Sequence, residues 1–322
     1  MEEKPLVSIK CLVYNHEPYL RECLDGFVMQ KTSFKFEAIV HDDASTDGSA
    51  DIIREYAAKY PDIIKPIYEI ENQYSKHDGS LRKIMNRALQ GKYIAFCEGD
   101  DYWIDPLKLQ KQVDFLENNQ EYSLCSTNYK RYNQNNHCFL KGNNKRSADF
   151  DFDQNTNFKR WVTKTLTVMY RNDFYPLTLK KIPNFRDFHI FYIVLMHGKG
   201  RYLDDITGVY RIHDGGVQSS ANSLKKARID YLVSKEILTL DSNSLIVKEY
   251  FKRKRIKYFL LLLISKSNDN TFSKKKLVKV FLFKKPFKEQ IDTILISLKM
   301  ILDAAYSFFK RVVNFILRKL SF

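Results

Sequence analysis

One short stretch limits what this chain can fold into: the apolar run Tyr93 to Cys97, followed at once by Glu98, Gly99, Asp100 and Asp101. A continuous apolar run of this length is the pattern of a strand covered on both faces, as in a parallel sheet lined by helices. Three carboxylates then close it, and Gly99 allows the tight turn between them. Asp105 and Pro106 read as the cap and first position of a helix carrying Leu109, Val113 and Leu116 on one face. In open α/β sheets the crevice outside the carboxyl ends of the strands is where ligands bind. Clustered carboxylates repel one another and lose hydration on burial unless a cation sits among them. Oxygen ligands without a nearby Cys/His set favour magnesium, manganese or calcium over zinc.

From the start of the chain, Leu6 to Val13 reads as a strand entering a Tyr14-Asn15-His16-Glu17 turn, and a helix follows from about Pro18 to Gln30. Phe36 to His41 is a second strand, and it too ends in acid: Asp42-Asp43-Ala44-Ser45-Thr46-Asp47. The Ser and Asp residues suit the cap of a helix whose face carries Ile52, Ile53, Tyr56 and Tyr60. Capping does not need two aspartates at a strand end, and such a pair can accept hydrogen bonds from the base and ribose of a nucleotide. Ile63 to Tyr68 reads as a third strand and Leu81 to Leu89 as a helix. This alternation predicts an α/β fold with a mostly parallel sheet flanked by helices. No glycine-rich dinucleotide fingerprint or P-loop follows either acidic end, which leaves phosphate to be held through a metal. Ser123 to Tyr129 suits another strand, and the Asn-rich segment 133–157 suits a mobile loop or lid.

At 322 residues and 44% hydrophobic, the chain can bury a sizeable core in one large domain or two smaller ones. Its cysteines (Cys11, Cys23, Cys97, Cys125 and Cys138) are odd in number and lack paired spacing, which suits free thiols in a reducing compartment. The chain enters its first strand without a signal-peptide pattern, and no purely apolar run is longer than Tyr258 to Ile264, short of the roughly 20 residues a span needs. The expectation is cytoplasmic. The net charge of +15 is uneven: residues 221–322 hold 23 Lys and Arg against eight Asp and Glu, which is the whole excess.

Four groups of residues, in this order, resemble a bacterial family 2 glycosyltransferase over roughly residues 5–220. They are Val7-Ser8-Ile9 with Tyr14-Asn15; Asp42 to Ser49; Gly91-Lys92-Tyr93 with Glu98-Gly99-Asp100-Asp101-Tyr102-Trp103; and Arg186-Asp187 followed by Tyr210-Arg211-Ile212-His213. The resemblance implies a GT-A fold in residues 1–220, followed by a helical, basic region in 221–322. It implies an inverting, metal-dependent hexosyltransferase working in bacterial surface polysaccharide assembly. The donor would be a nucleotide-diphosphate sugar, a UDP-sugar foremost, and the acceptor a saccharide or lipid-linked saccharide. Asp42 and Asp43 match the family's nucleotide-binding pair, with Tyr14, Asn15, Gly99, Asp101, Arg211 and His213 as further nucleotide-sugar contacts. Asp100 and Glu98 match its Asp-x-Asp motif for manganese or magnesium. Glu98 departs from that pattern, and its longer arm reaches either the metal or the sugar. Asp187 matches the general base.

Two alternatives fit less well. A sugar-phosphate nucleotidyltransferase would carry a Gly-rich, basic N-terminal loop, and Tyr14-Asn15-His16-Glu17 is not one. The basic tail alone would suit a non-enzymatic nucleic-acid- or membrane-binding protein, but its charges alternate with aliphatic rather than base-stacking residues, so no nucleic acid is expected. From Phe287 on, Ile291, Ile294, Leu298, Ile301, Phe308, Val312 and Ile316 mark an apolar stripe flanked by Lys299, Lys310, Arg311 and Arg318. A basic amphipathic helix of this kind rests on anionic membrane at about 1 kcal/mol per Lys or Arg, here the inner face of the cytoplasmic membrane. Deleting residues 285–322 should move the protein from membrane to soluble fraction on cell fractionation. An unchanged distribution counts against attachment through this stripe.

Overall fold

The computed structural model describes residues 4–140, 148–174, 182, 185–215 and 222–264. The chain divides into two units, residues 1–220 and 221–322. In the first, β1 (Val7–Val13) has parallel neighbours β2 (Phe36–Asp42) on one side and β4 (Tyr93–Phe96) on the other, and β3 (Ile64–Tyr68) extends the run beyond β2. Alternation along each strand sets the layers. Ala38, Val40, Tyr93 and Ala95 join one core cluster while Ile39, Ile94 and Phe96 join another, so both faces are buried. Helices α1 (Glu17–Val28) and α2 (Ser49–Lys59) cover the first face through Leu20, Leu24, Phe27, Ile52 and Ile53. The other face takes Met85 of α3 (Ser80–Ala88). Val13 is in register with Asp42, and Lys10 with Phe96, so the segments leaving β1, β2 and β4 emerge along one rim.

Beyond β4 the sheet becomes mixed. β9 (Val168–Arg171) runs antiparallel between β4 and β6 (Tyr122–Asn133), while β10 (Lys199–Ile212) lies parallel to β6. At the edge, β5 (Tyr102–Trp103) pairs antiparallel with Gly208 and Val209 of β10. That pairing brings the far end of β10 back to the acidic turn after β4. The register is locked by Trp103, 2% exposed, whose indole donates to the Leu166 carbonyl at 2.8 Å. Gly26 lets α1 press on β5, since a Cβ there would lie 2.9 Å from the Trp103 nitrogen.

Two expectations change in detail. The helix after the acidic turn, α4 (Lys108–Asn118), begins at Lys108 rather than Pro106. Asp105 instead closes a preceding turn, accepting from the Leu107 amide at 2.9 Å and pairing with Lys111. The segment expected to be a loop carries structure in its described parts: β7 (Cys138–Phe139), β8 (Phe150–Phe152) and α5 (Gln154–Arg160). Its few aromatic residues pay for this order: Phe150 stacks on Tyr202 at 4.9 Å, and Phe152 is buried. Between β9 and β10 lies α6 (Asp187–Leu195).

The second unit contains α7 (Ser223–Leu240), N-capped by the Asn222 side chain, and α8 (Leu245–Ile264). Tyr231 stacks on Phe251 and Tyr258, and Lys254 pairs with Asp230 at 2.6 Å. Among the described residues no helix is long and apolar enough to cross a membrane. The basic apolar stripe from Phe287 on lies outside the described residues.

One buried charge tests the packing beneath β5. Lys108 is fully buried, its ammonium 4.4 Å from the Trp103 ring centre and bonded to the Gln112 amide oxygen rather than a carboxylate. Burial pulls its pKa down from 10.5 to about 8. Between these values the unfolded chain holds a proton that the folded chain has released, so stability rises with pH across that window. Wild type should therefore gain up to about 3 kcal/mol on Lys108→Met as pH climbs from 8 to 10.5. Urea unfolding of both proteins at the two ends reads the difference. A gap independent of pH means the ammonium is not desolvated.

Candidate active site

The rim is built by two turns that satisfy each other. Asn15 (φ 55°) and Ala44 (φ 62°) take left-handed conformations just past β1 and β2. The Asn15 amide donates to Ser45 Oγ at 2.9 Å, and Asn15 Oδ1 accepts from the Thr46 amide at 2.8 Å. Ser49 Oγ and the Asp47 carboxylate take the first amides of α1, from His16 and Glu17. Glu17 returns the exchange by accepting from the Gly48 amide at 2.8 Å, at the start of α2. Asp47 thus serves both helices, since its other oxygen accepts from the Ser49 amide at 3.0 Å at the start of α2, and Tyr14, 47% exposed, lies just past β1. Asp42 and Asp43 are both buried. The Asp43 carboxylate accepts from the amides of Gln73 and Tyr74 at 2.7 and 3.0 Å, so it anchors the segment after β3.

The acidic turn after β4 is clamped from β10. Asp101 Oδ1 accepts from the Arg211 amide at 2.8 Å, and the Arg211 side chain donates to the Asp100 carbonyl at 2.8 Å. The rest of that buried guanidinium meets Gln134 and the Glu22 carboxylate. Its geometry is that of a brace for the acidic turn. His213 Nε2 lies 3.1 Å from Asp100 Oδ2, with the Tyr19 ring against the imidazole at 4.5 Å. Gly99 is required by space: a Cβ would sit 2.8 Å from His16 Nδ1 and 3.0 Å from Val13 Cγ2.

Facing this turn are Asp187, at the first position of α6, and the segment before β9. Thr165 Oγ1 reaches Asp187 Oδ2 at 3.5 Å. Lys164 lies 3.4 Å from the Tyr210 ring centre and feels Asp101, Asp100 and Asp187. Burial holds the lysine below its usual range against the pull of these three carboxylates. Burial also pushes Glu98 well above the carboxylate range, and Asp187 adds to this more than Asp100 or Asp101 does. Asp101 is raised as well, by burial and then by Asp100. Asp100 moves the other way. Burial would raise it, but the His213 hydrogen bond and the fields of His16 and His213 hold it below the usual value.

The expected residues therefore share one rim, with Glu98 nearer Asp187 in its electrostatics than expected of a metal ligand paired with Asp100. Among the described residues no three His, Cys, Asp or Glu side chains converge as a ready metal cage. Asp100 and His213 are the pair that meets. Sequence reasoning missed His16, Glu22, Lys164 and Thr165. Only His16 had a signal, its place in the first turn.

The match to the family model described as Glycosyl transferase family 2 runs over residues 8–180, more than half of the chain. The chain belongs to this family. It is 48% identical over 119 residues to the uncharacterized Mycobacterium tuberculosis protein Rv1520, covering 37% of this chain and 34% of that one. To EpsE of Bacillus subtilis, which bears a provisional glycosyltransferase name, it is 40% identical over 128 residues, covering 39% and 44%. Each match spans less than half the relative's length. The fold is similar to that of Staphylococcus aureus TarS 1–349 crystallised with UDP-GlcNAc, at TM-score 0.55 and 20% identity, covering 90% of this chain and 79% of TarS 1–349.

Gly99→Ala tests the crowding at the turn. The variant should lose about 1–3 kcal/mol of stability as His16 and Val13 are pushed aside. A thermal melt equal to wild type would show that the turn yields at no cost.

Proposed function

We propose that the chain moves a sugar from a nucleotide-diphosphate donor to an acceptor hydroxyl with inversion at the anomeric carbon. One observation carries this reading within the family: Asp187, at a helix start, is electrostatically coupled to Glu98 of the acidic turn while Asp100 of the same turn meets His213. Phosphate and sugar ends can thus be handled by different carboxylates. Tyr14, which follows the Val13 that is in register with Asp42, is exposed for stacking on the base. Asp43 and Arg211 act by holding the walls of the site in place.

Asp100 and His213 would hold the divalent cation. A carboxylate oxygen and an imidazole nitrogen suit manganese, and a carboxylate suits magnesium. The buried His16 Nδ1, beside Gly99 of the acidic turn and without a hydrogen-bond partner among the described residues, fits a site that gains a polar group on loading. When bound, such a cation neutralises charge developing on the departing diphosphate. Asp187 then accepts the proton of the acceptor hydroxyl as its oxygen attacks the anomeric carbon opposite the diphosphate. The new C–O bond forms, the bond to the diphosphate breaks, and the nucleoside diphosphate leaves. The oxocarbenium-like carbon passes close to Glu98, which can bond the sugar hydroxyls. A UDP-sugar is the preferred donor. TuaG of Bacillus subtilis, provisionally named for teichuronic acid biosynthesis, is 37% identical over 113 residues and supports a polysaccharide acceptor, free or lipid-linked. The basic C-terminal stripe would keep the enzyme at the inner membrane face.

A thermal-shift panel of nucleotides with and without manganese should find one nucleoside diphosphate that stabilises wild type only with metal. Asp100→Ala should abolish that shift. Asp187→Asn should keep it and lose about 10²–10⁴-fold in transfer. Full turnover by Asp187→Asn removes the base assignment, and a shift indifferent to metal and Asp100 removes the cation site.

A further inference from the structure

We infer that the open face of Trp161 is a stacking platform for a pyranose ring of the acceptor, which makes the acceptor a saccharide. This rests on the glycosyl-transfer reading above. Trp161 ends α5 in the left-handed region, φ 48° and ψ 68°, where a bulky side chain is strained. The conformation is fixed by several bonds at once. The Trp161 amide donates to the Asn157 carbonyl at 2.8 Å. The buried Asn157 Oδ1 accepts from the Val162 and Thr163 amides at 2.9 and 3.0 Å, and from the Thr163 hydroxyl at 3.1 Å. All this order does not serve to bury the indole, which stays 52% exposed, whereas Trp103 is 2% exposed.

One face of Trp161 lies on Phe188, with ring centres 4.8 Å apart and planes 15° from parallel. Phe188 follows Asp187 directly, and Thr165, in the short helix that comes after Trp161 in the chain, reaches the Asp187 carboxylate at 3.5 Å. A rigid aromatic surface is therefore held against the residue that directly follows the group assigned to deprotonate the acceptor. A pyranose offers one face of C–H groups while its hydroxyls stay hydrated, so a half-exposed indole matches it better than an enclosed apolar pocket would.

The chain has two tryptophans, and the part of a fluorescence change that is lost in Trp161→Phe reports on Trp161. The full chain would be titrated, with UDP and manganese present, using cellobiose, diacetylchitobiose and methyl β-glucuronide. Saturable quenching with a shift to shorter wavelength is expected, together with saturation transfer to the C–H protons of the sugar by NMR. Trp161→Phe should retain the NMR contacts, and Trp161→Ala should weaken binding about tenfold or more while nucleotide-linked thermal stabilisation is unchanged. If UDP still stabilises wild type but fluorescence and NMR ignore all three saccharides, the platform is overturned and the donor site stands. If no nucleotide stabilises wild type, the transfer reading fails and takes the platform with it.

Discussion

Four carboxylates gathered at one rim impose the constraint that the surrounding structure answers. Glu98, Asp100, Asp101 and Asp187 cannot all keep their charge in a partly dry site without compensation. Asp101 takes an amide from Arg211 and feels the nearby Lys164. Asp100 has two histidines and stays the readily ionised member. Asp187 sits where the partial positive charge of a helix start favours an anion. Glu98, pushed up by burial and then by Asp187, answers by resisting ionisation. One turn thus holds carboxylates of contrasting acidity.

Compensation at fixed distances requires walls that do not move. The turns after β1 and β2 exchange capping side chains, Asp47 for α1 and Glu17 for α2, so neither can shift alone. Arg211 joins the acidic turn to Gln134 and to Glu22 on α1, tying three segments far apart in sequence. The left-handed Asn15 and Ala44 store strain at the same two strand ends, held there by the interlocking turns.

The parallel half was legible because each unit is local. A buried strand, an acidic or polar turn and an amphipathic helix leave an unmistakable hydropathy pattern within thirty or so residues. Asp42, Asp43, Glu98, Asp100 and Asp101 could be read from their positions at strand ends alone. Their individual bonds could not. Asp43 anchors the Gln73–Tyr74 backbone and Ser49 caps α1, and both partners lie across a turn that no spacing rule reaches. The mixed half was less legible still, because β9 inserts antiparallel between β4 and β6, strands that precede it in sequence.

That insertion explains why Lys164 and Thr165 carried no signal. They lie just before β9, and only its pairing with β4 sets them opposite the acidic turn that ends β4. Lys164 reads as an ordinary surface lysine until the fold places three carboxylates around it. The same holds for α6, whose apolar run shows in the sequence while the orientation of its first residue does not. The two faces of the site therefore differ in kind. The face of the strand ends, proposed to take the nucleotide, follows from local strand–turn–helix grammar. The face of Lys164, Thr165 and Asp187, proposed to take the acceptor, depends on long-range pairing, so substitutions there leave undisturbed the strand ends that hold the acids.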